Sequence, residues 1–226
     1  MRNRLFVLIA LIAMAFLFSC AEKGEVEAAD IIACKTFDPA THICDKRDGN
    51  LYKIKRMPDS RYWMAENLKY KPPHDLSKCY REEEENCKFY GRLYSWSILK
   101  ELCPDGWRVP YDEEWDNLIL RSGGENSDRK LKANYGWSNN GNGEDSYEFE
   151  VLPAGVYMIG RLEDGETCEM YDDGILTLNP WDGLGEITVF MSIGESADQV
   201  IASNADGKFK FCWAESSFKS VRCIKE

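Results

Sequence analysis

Cys103-Pro104-Asp105-Gly106-Trp107-Arg108-Val109-Pro110-Tyr111-Asp112-Glu113-Glu114-Trp115 reads as a turn, a short apolar segment and the opening of a helix. Pro104-Asp105-Gly106 is turn chemistry, with proline presetting φ and glycine accepting the strained position. Pro110 starts the helix, and Asp112, Glu113 and Glu114 fill its first turn, where carboxylates complement the dipole. Trp115, Leu118 and Ile119 form its buried stripe, and Gly123-Gly124 stops it. Upstream, Leu93, Trp96, Leu99 and Cys103 recur at spacings of three and four, which predicts another helix over about Arg92 to Leu102.

Working outward, the texture changes on both sides. Asp48-Gly49-Asn50 is a turn, Leu51 to Lys55 alternates as a strand, and a second strand near Arg61 to Met64 completes a hairpin. Lys69 to Asn86 reads as loop, with Pro72-Pro73 and an acidic run from Glu82 to Glu85 that is most simply a solvated surface. After Gly136 no helical period persists. Short strands are predicted instead at Phe149 to Leu152, Val156 to Ile159, Ile187 to Met191, Lys208 to Trp213 and Val221 to Ile224. Two early helices followed by many short strands define an α+β fold.

The N-terminus carries a different message. Arg2 and Arg4 precede an uncharged apolar run from Leu5 to Phe18, shorter than the roughly 18 to 20 residues needed to cross a bilayer. Leu17-Phe18-Ser19-Cys20 then reads as a lipobox. Residues 1–19 are thus expected to be a signal peptide and Cys20 an acylated N-terminus, giving a lipid-anchored protein of the cell envelope, at the outer membrane or cell surface. Residues 20–47 read as a tether ending in a small looped knob, and 48–226 as the folded domain. Removing Arg2 and Arg4 takes the net charge from −11 to −13. So acidic a surface repels phosphates and anionic headgroups, which argues against nucleic acid as a partner.

Setting Cys20 aside leaves Cys34, Cys44, Cys79, Cys87, Cys103, Cys168, Cys212 and Cys223. An even set in an exported chain points to disulfides, although eight cysteines allow on the order of a hundred connectivities. Cys34 with Cys44 and Cys79 with Cys87 would each close a small polar loop. Cys103 with Cys223 would tie the middle of the chain to its end, a closure worth on the order of 4 kcal/mol. Cys168 and Cys212 would then pair with each other. Zinc is the weaker reading, because no Cys-x-x-Cys is present and His42 and His74 are the only histidines.

Four blocks in order carry a family resemblance: Trp63-Met64-Ala65-Glu66-Asn67-Leu68, Tyr90-Gly91-Arg92-Leu93-Tyr94-Ser95-Trp96, Cys103 to Pro110, and Ser220-Val221-Arg222-Cys223. Leu152-Pro153-Ala154-Gly155 fits the same pattern. The chain from about residue 48 to 226 resembles the Fibrobacter succinogenes major paralogous domain, a family of exported proteins. Gly106-x-Arg108-Val109-Pro110-x-x-x-Glu114-Trp115 with Gly123-Gly124 is also similar to the formylglycine-generating sulfatase-modifying family. That resemblance implies a C-type-lectin-like domain: two helices packed on a twisted antiparallel sheet, with long loops. It also implies a disulfide from a helix-proximal cysteine to one near the C-terminus, which favours Cys103 with Cys223. Trp107 and Trp115 are then core, and Arg108 is placed to bond nearby loop carbonyls. Two departures stand out: Met191 where the family usually has tryptophan, and the additional Cys168. Both fall near where a lectin-like fold presents its ligand surface.

Three functional classes follow. Formylglycine-type catalysis needs a reactive cysteine pair, used with copper, in the C-terminal part of the domain. Cys212-Trp213-Ala214-Glu215 lacks the expected active-site sequence, and four disulfides would leave no thiolate to act. No Gly-x-Ser-x-Gly or phosphate loop is present either, so the expectation is a non-catalytic protein with no catalytic residues and no obligate cofactor. A binding module has more support. Asp172, Asp173, Asn179 and Asp182 offer hard oxygen ligands suited to calcium, and Trp181 an aromatic platform for a sugar face. The lectin signatures themselves are missing, and Asn179-Pro180-Trp181-Asp182 is only a loose echo of them. The simpler reading makes Trp181 a buried loop anchor. Trp137 to Asp145 is a second candidate surface, although a Gly/Asn-rich stretch is first of all a turn. The third class is a scaffold or adhesion module. Expected partners are the membrane through the lipid, and either a polysaccharide or another envelope protein.

Overall fold

The computed structural model describes residues 34–158, 181–194, 198–203 and 217–226. Cys20 and its signal segment, Cys168, Cys212, Asp172, Asp173, Asn179 and the strand expected at Lys208 to Trp213 lie outside those residues, as does the side chain of Asp182. No helix among the described residues is long and apolar enough to cross a membrane.

The predicted hairpin forms. Strand β1 (His42–Cys44) pairs with β2 (Leu51–Arg56), and β2 with β3 (Tyr62–Met64). Alternation along β2 buries Tyr52 and Ile54 and leaves their neighbours facing out. The looped N-terminal knob, closed by Cys34–Cys44, therefore supplies an edge strand of the sheet.

Lys69 to Asn86 is more ordered than a loop. It contains β4 (Ser77–Lys78), a 3-10 turn (Tyr80–Glu82) and the start of helix α1 (Glu84–Tyr90). The acidic run continues into this helix: Glu84 and Glu85 occupy its first turn, and the Cys79–Cys87 disulfide pins it to the preceding strand. Gly91 ends it at φ 82°, with its N–H donating to the Cys87 carbonyl at 3.0 Å. A Cβ there would sit 2.6 Å from Asn67 Cβ and 2.9 Å from the Leu68 carbonyl, so only glycine fits.

The helix expected over Arg92 to Leu102 is replaced by β5 (Leu93–Ser95) and a 3-10 segment (Trp96–Glu101). Leu93 and Tyr94 are consecutive and both buried, which suits a strand covered on two faces and not one helix stripe. Ser95 caps the 3-10 segment by accepting from Ser97 N–H at 3.4 Å, and Trp96 is left 59% exposed.

After β6 (Trp107–Arg108), helix α2 (Asp112–Ser122) opens two residues later than Pro110 would start it, because extended Tyr111 bridges Ile193, whose N–H donates to the Pro110 carbonyl and whose carbonyl accepts from Asp112 N–H. Trp115 and Leu118 are fully buried, Ile119 half-buried, and Gly123 closes the helix at φ 130°. Helix α3 (Ser127–Leu131) follows a short 3-10 turn. Phe149 to Leu152 forms only an isolated bridge, Val151 with Lys132; Glu148 and Glu150 at positive φ interrupt any strand.

Strands β7 (Ala154–Met158), β8 (Trp181–Leu184), β9 (Ile187–Met191), β10 (Asp198–Ser203), β11 (Ser217–Lys219) and β12 (Ile224–Lys225) complete the described elements. One sheet runs β1-β2-β3-β12-β6, so the last strand of the chain lies inside it. The other runs β10-β9-β7-β11-β5-β4, with β8 beside β7; it is antiparallel except where β7 meets β9. The strand expected at Val221 to Ile224 shortens to β12, although the Val221 and Cys223 carbonyls accept from Leu68 and Met64 N–H. Helix α2 packs Trp115 against Trp63, Phe149 and Phe190, joining helix, hairpin and β9 in one cluster. The result is an α+β fold of helices against two sheets, held among the described residues by three disulfides: Cys34–Cys44, Cys79–Cys87 and Cys103–Cys223.

Candidate functional site

Arg222 organises one corner of the molecule. Its residue is fully buried, yet no carboxylate among the described residues pairs with it directly. Instead Nε donates to Asn67 Oδ1 at 2.8 Å, one terminal nitrogen donates to the Phe149 carbonyl, and the other donates to the Glu150 carbonyl at 2.7 Å. The guanidinium also stacks 4.4 Å from the centroid of Phe149 and 5.3 Å from that of Phe190. Burial pulls its pKa down, opposed at a distance by Glu150, Glu66 and Asp145. Asn67 in turn donates to the Tyr90 carbonyl at 2.8 Å. Arg222 thus fastens together the hairpin exit, the end of α1 and the Phe149–Glu150 turn.

Above it lies an open cleft of about 190 Å³. One wall is the bend after β3, with Glu66 and Lys69. Another is the end of α1, with Phe89 and Tyr90. Tyr135, Glu150 and Leu152 form the third. Phe89 is 50% exposed and Tyr135 41%, and the two rings meet edge-on with centroids 6.1 Å apart. Phe89 also sits edge-on to Tyr90 at 4.7 Å, so three aromatic rings share the rim. Glu66 accepts from Lys53 N–H at 2.7 Å and from Lys69 Nζ at 3.2 Å. The Glu150 carboxylate makes no hydrogen bond or ion pair among the described residues, although its charge is felt by Lys53, Tyr135 and Arg222. Burial, then the negative charges of Glu150, Asp145 and Glu66, push the Tyr135 phenol up, so it stays protonated and able to donate.

Sequence reasoning did not single out this cleft. Four of its polar members (Glu66, Asn67, Tyr90 and Arg222) come from three of the four resemblance blocks, but only the insertion of β12 beside β3 brings Arg222 next to Asn67. Exposed Phe89 and Tyr135 lie outside any sequence pattern that would have flagged them.

The residues that the sequence did single out fall as follows. Trp181 is half-buried at the start of β8, its ring 5.3 Å from Tyr80 and 4.4 Å from Tyr157. It packs as part of a small cluster with Phe218 and Leu184. Asp182 pairs through its backbone with Val156. Met191 is buried in the main core and Ser192 is fully buried, so this position belongs to packing and not to an exposed face. Trp137 is likewise core: its indole N–H donates to the Val151 carbonyl at 3.0 Å, and Lys132 lies over its ring.

Arg108 departs from its expected role. Its main partner is the Glu114 carboxylate, reached by both terminal nitrogens at 2.7 and 2.8 Å, with only a 3.3 Å contact to the Val109 carbonyl. Glu114 also accepts from Tyr111 N–H at 2.8 Å and pairs with Arg61 at 2.8 Å. Burial pulls Glu114 up, but the bonds from Arg108 and Tyr111 and the charges of Arg108 and Arg61 outweigh it, holding the carboxyl below its usual range. The pairing fixes the start of α2 to β6 and the hairpin tip.

Cys79, Glu84 and Cys87 bring potential metal-binding atoms within 4.8 Å of one another. The two sulfurs are bonded to each other, so neither offers a thiolate while the disulfide stands.

No curated protein and no solved structure matches this chain. The family model of the Fibrobacter succinogenes major domain matches residues 59–225, a span that holds Arg222, its acceptors, the cleft walls and the Cys103–Cys223 bridge. The chain belongs to the Fibrobacter succinogenes major domain family.

Proposed function

We propose that this protein is an exported cell-envelope lipoprotein, attached through Cys20 at the outer membrane or cell surface, whose folded domain is a non-catalytic binding module. The lipobox and the short apolar run before it support attachment. The observation that carries the binding role is the cleft: exposed aromatic rings beside carboxylates and amines, held on a floor fastened by a buried arginine. Groups of that kind bind small polar ligands with an apolar face.

A C-type-lectin-like classification belongs to the same proposal. Its supports are helix α2 packed on the sheets and the Cys103–Cys223 bridge beside the C-terminal strand. Three features weigh against formylglycine-type chemistry. Six of the eight cysteines after Cys20 are already in disulfides, the active-site sequence is missing at Cys212, and only Cys168 and Cys212 could supply thiols. The calcium site read from Asp172, Asp173, Asn179 and Asp182 has no support beyond the sequence.

The test is co-sedimentation of the purified whole chain with isolated cell envelopes from which lipids have been extracted, before and after protease treatment of the envelopes. Saturable binding that survives protease is expected from a module that reads envelope polymer. Binding abolished by protease would move the reading to a protein scaffold, and no binding would remove it. Alkylation without reduction checks the non-catalytic part: rapid labelling of Cys212 would overturn it.

A further inference from the structure

We propose that the cleft between α1, the bend after β3 and the Tyr135–Glu150 wall binds one uncharged sugar ring of a saccharide; this rests on the binding-module reading and gives that reading a site and a ligand class. The argument begins with what the cleft leaves unused. Phe89 and Tyr135 expose ring surface at a concave site where apolar burial would otherwise be favoured. The Glu150 carboxylate is without a hydrogen bond or ion pair among the described residues, and it lines the same cleft as the Tyr135 hydroxyl, which is able to donate. Glu66 spends two acceptor positions on Lys53 N–H and Lys69, leaving others open.

A ligand for such a surface must present an apolar face to aromatic rings and hydroxyls at its edge that both donate and accept. A pyranose ring does both. Charge decides between ligand classes. On the accessible wall Glu66 is bonded to Lys69, Lys88 is paired with Glu85, and the charge of Glu150 is offset by Arg222 sealed beneath. Neither a cation nor an anion meets a surplus of opposite charge there, so a neutral polyol fits best. Size decides how much of it is held. About 190 Å³ is smaller than the roughly 300 Å³ at the low end of drug-sized pockets, enough for one ring while the rest of a chain runs outside. Arg222 is a positioning residue here, holding Asn67 and the Glu150 carbonyl so that the walls keep their spacing.

The experiment is titration calorimetry of the purified whole chain with cellohexaose, xylohexaose and mannohexaose, with hexagalacturonate and choline as charged probes. Binding of at least one neutral hexasaccharide is expected. Phe89→Ala and Tyr135→Ala should each weaken it about two- to tenfold, the range for one aromatic contact. Glu150→Gln should weaken it further at a temperature where melting curves show that variant fully folded. Both aromatic side chains are half-exposed, so folding is retained, and an unchanged midpoint verifies that. Neutral-sugar binding that all three variants leave intact would overturn the cleft assignment while the binding-module reading stands. Binding of hexagalacturonate or choline alone would overturn the ligand class, and no binding to any neutral hexasaccharide would overturn the proposal.

Discussion

Removing the Cys103–Cys223 bridge should cost far more stability than removing either of the other two described disulfides. The three bridges close spans of 120, 10 and 8 residues. In the chain-entropy treatment these correspond to about 5, 2.7 and 2.5 kcal/mol. If Cys168 and Cys212 also pair, the effective long loop shortens, which lowers the first figure by only about 0.4 kcal/mol because the dependence is logarithmic. Packing adds to the difference. Cys223 is fully buried and leads directly into β12, which lies between β3 and β6, so losing the tie frees the strand that closes the sheet. Against a typical domain stability of about 5–15 kcal/mol, the long bridge alone is a large share. The assay is urea denaturation of three whole-chain variants, Cys103→Ala/Cys223→Ala, Cys34→Ala/Cys44→Ala and Cys79→Ala/Cys87→Ala, followed by tryptophan fluorescence. The first should lose at least about 4 kcal/mol or fail to fold at 37 °C. A loss no larger than that of the Cys34/Cys44 variant would refute the reasoning, because it would mean that the chain end is held by other contacts.

Other substitutions test the remaining structural claims. Arg222→Ala orphans two carbonyls and an amide oxygen in the interior and should destabilise by about 3–5 kcal/mol, and Arg222→Lys should recover little, since a single amine cannot reach all three acceptors; a denaturation midpoint within error of wild type would contradict this. Glu114→Gln should cost about 2 kcal/mol near neutral pH. Because the folded pKa of Glu114 lies below its unfolded value of about 4.3, its stabilisation is full above that pH and lost as pH falls through the folded pKa. The gap between wild type and variant should therefore close in acid and not in base, as pH-dependent melting would reveal. Trp181→Ala should lower the thermal midpoint, by loss of its contacts with Tyr80 and Tyr157, and leave neutral-sugar affinity unchanged; a selective loss of binding would return the ligand site to β8.

Local signals survived translation into structure where they were strong and self-sufficient. The hairpin from Leu51 to Met64 has alternation and a turn, and α2 has an acidic first turn, an apolar stripe and a glycine stop. Three cysteine pairings followed from loop size, order and family resemblance. Where spacing alone carried the reading, it failed. Leu93, Trp96 and Leu99 have helical spacing, but Leu93 and Tyr94 are gripped between β4 and β11 and the chain turns out as 3-10 afterwards. Glu82 to Glu85 are exposed as expected, but the helix that begins at Glu84 was missed because the Cys79–Cys87 bridge that anchors α1 is a constraint that periodicity does not register. The cleft was illegible for a different reason. Arg222 and Asn67 are 155 residues apart, and their bond exists only because β12 threads beside β3. Arg108 does reach the Val109 carbonyl as expected, but its main partner, Glu114 in the first turn of α2, was missed.

The proposed attachment through Cys20 would hold the domain in an oxidising compartment, where its disulfides persist, and close to envelope material. Metabolic labelling with palmitate tests it most directly, with the whole chain expressed in its wild-type form and as Cys20→Ala. The prediction is label on the wild type and none on the variant, which should accumulate with its signal segment uncleaved. Label retained by Cys20→Ala, or wild type that never takes it up, would contradict the anchor and with it the envelope placement.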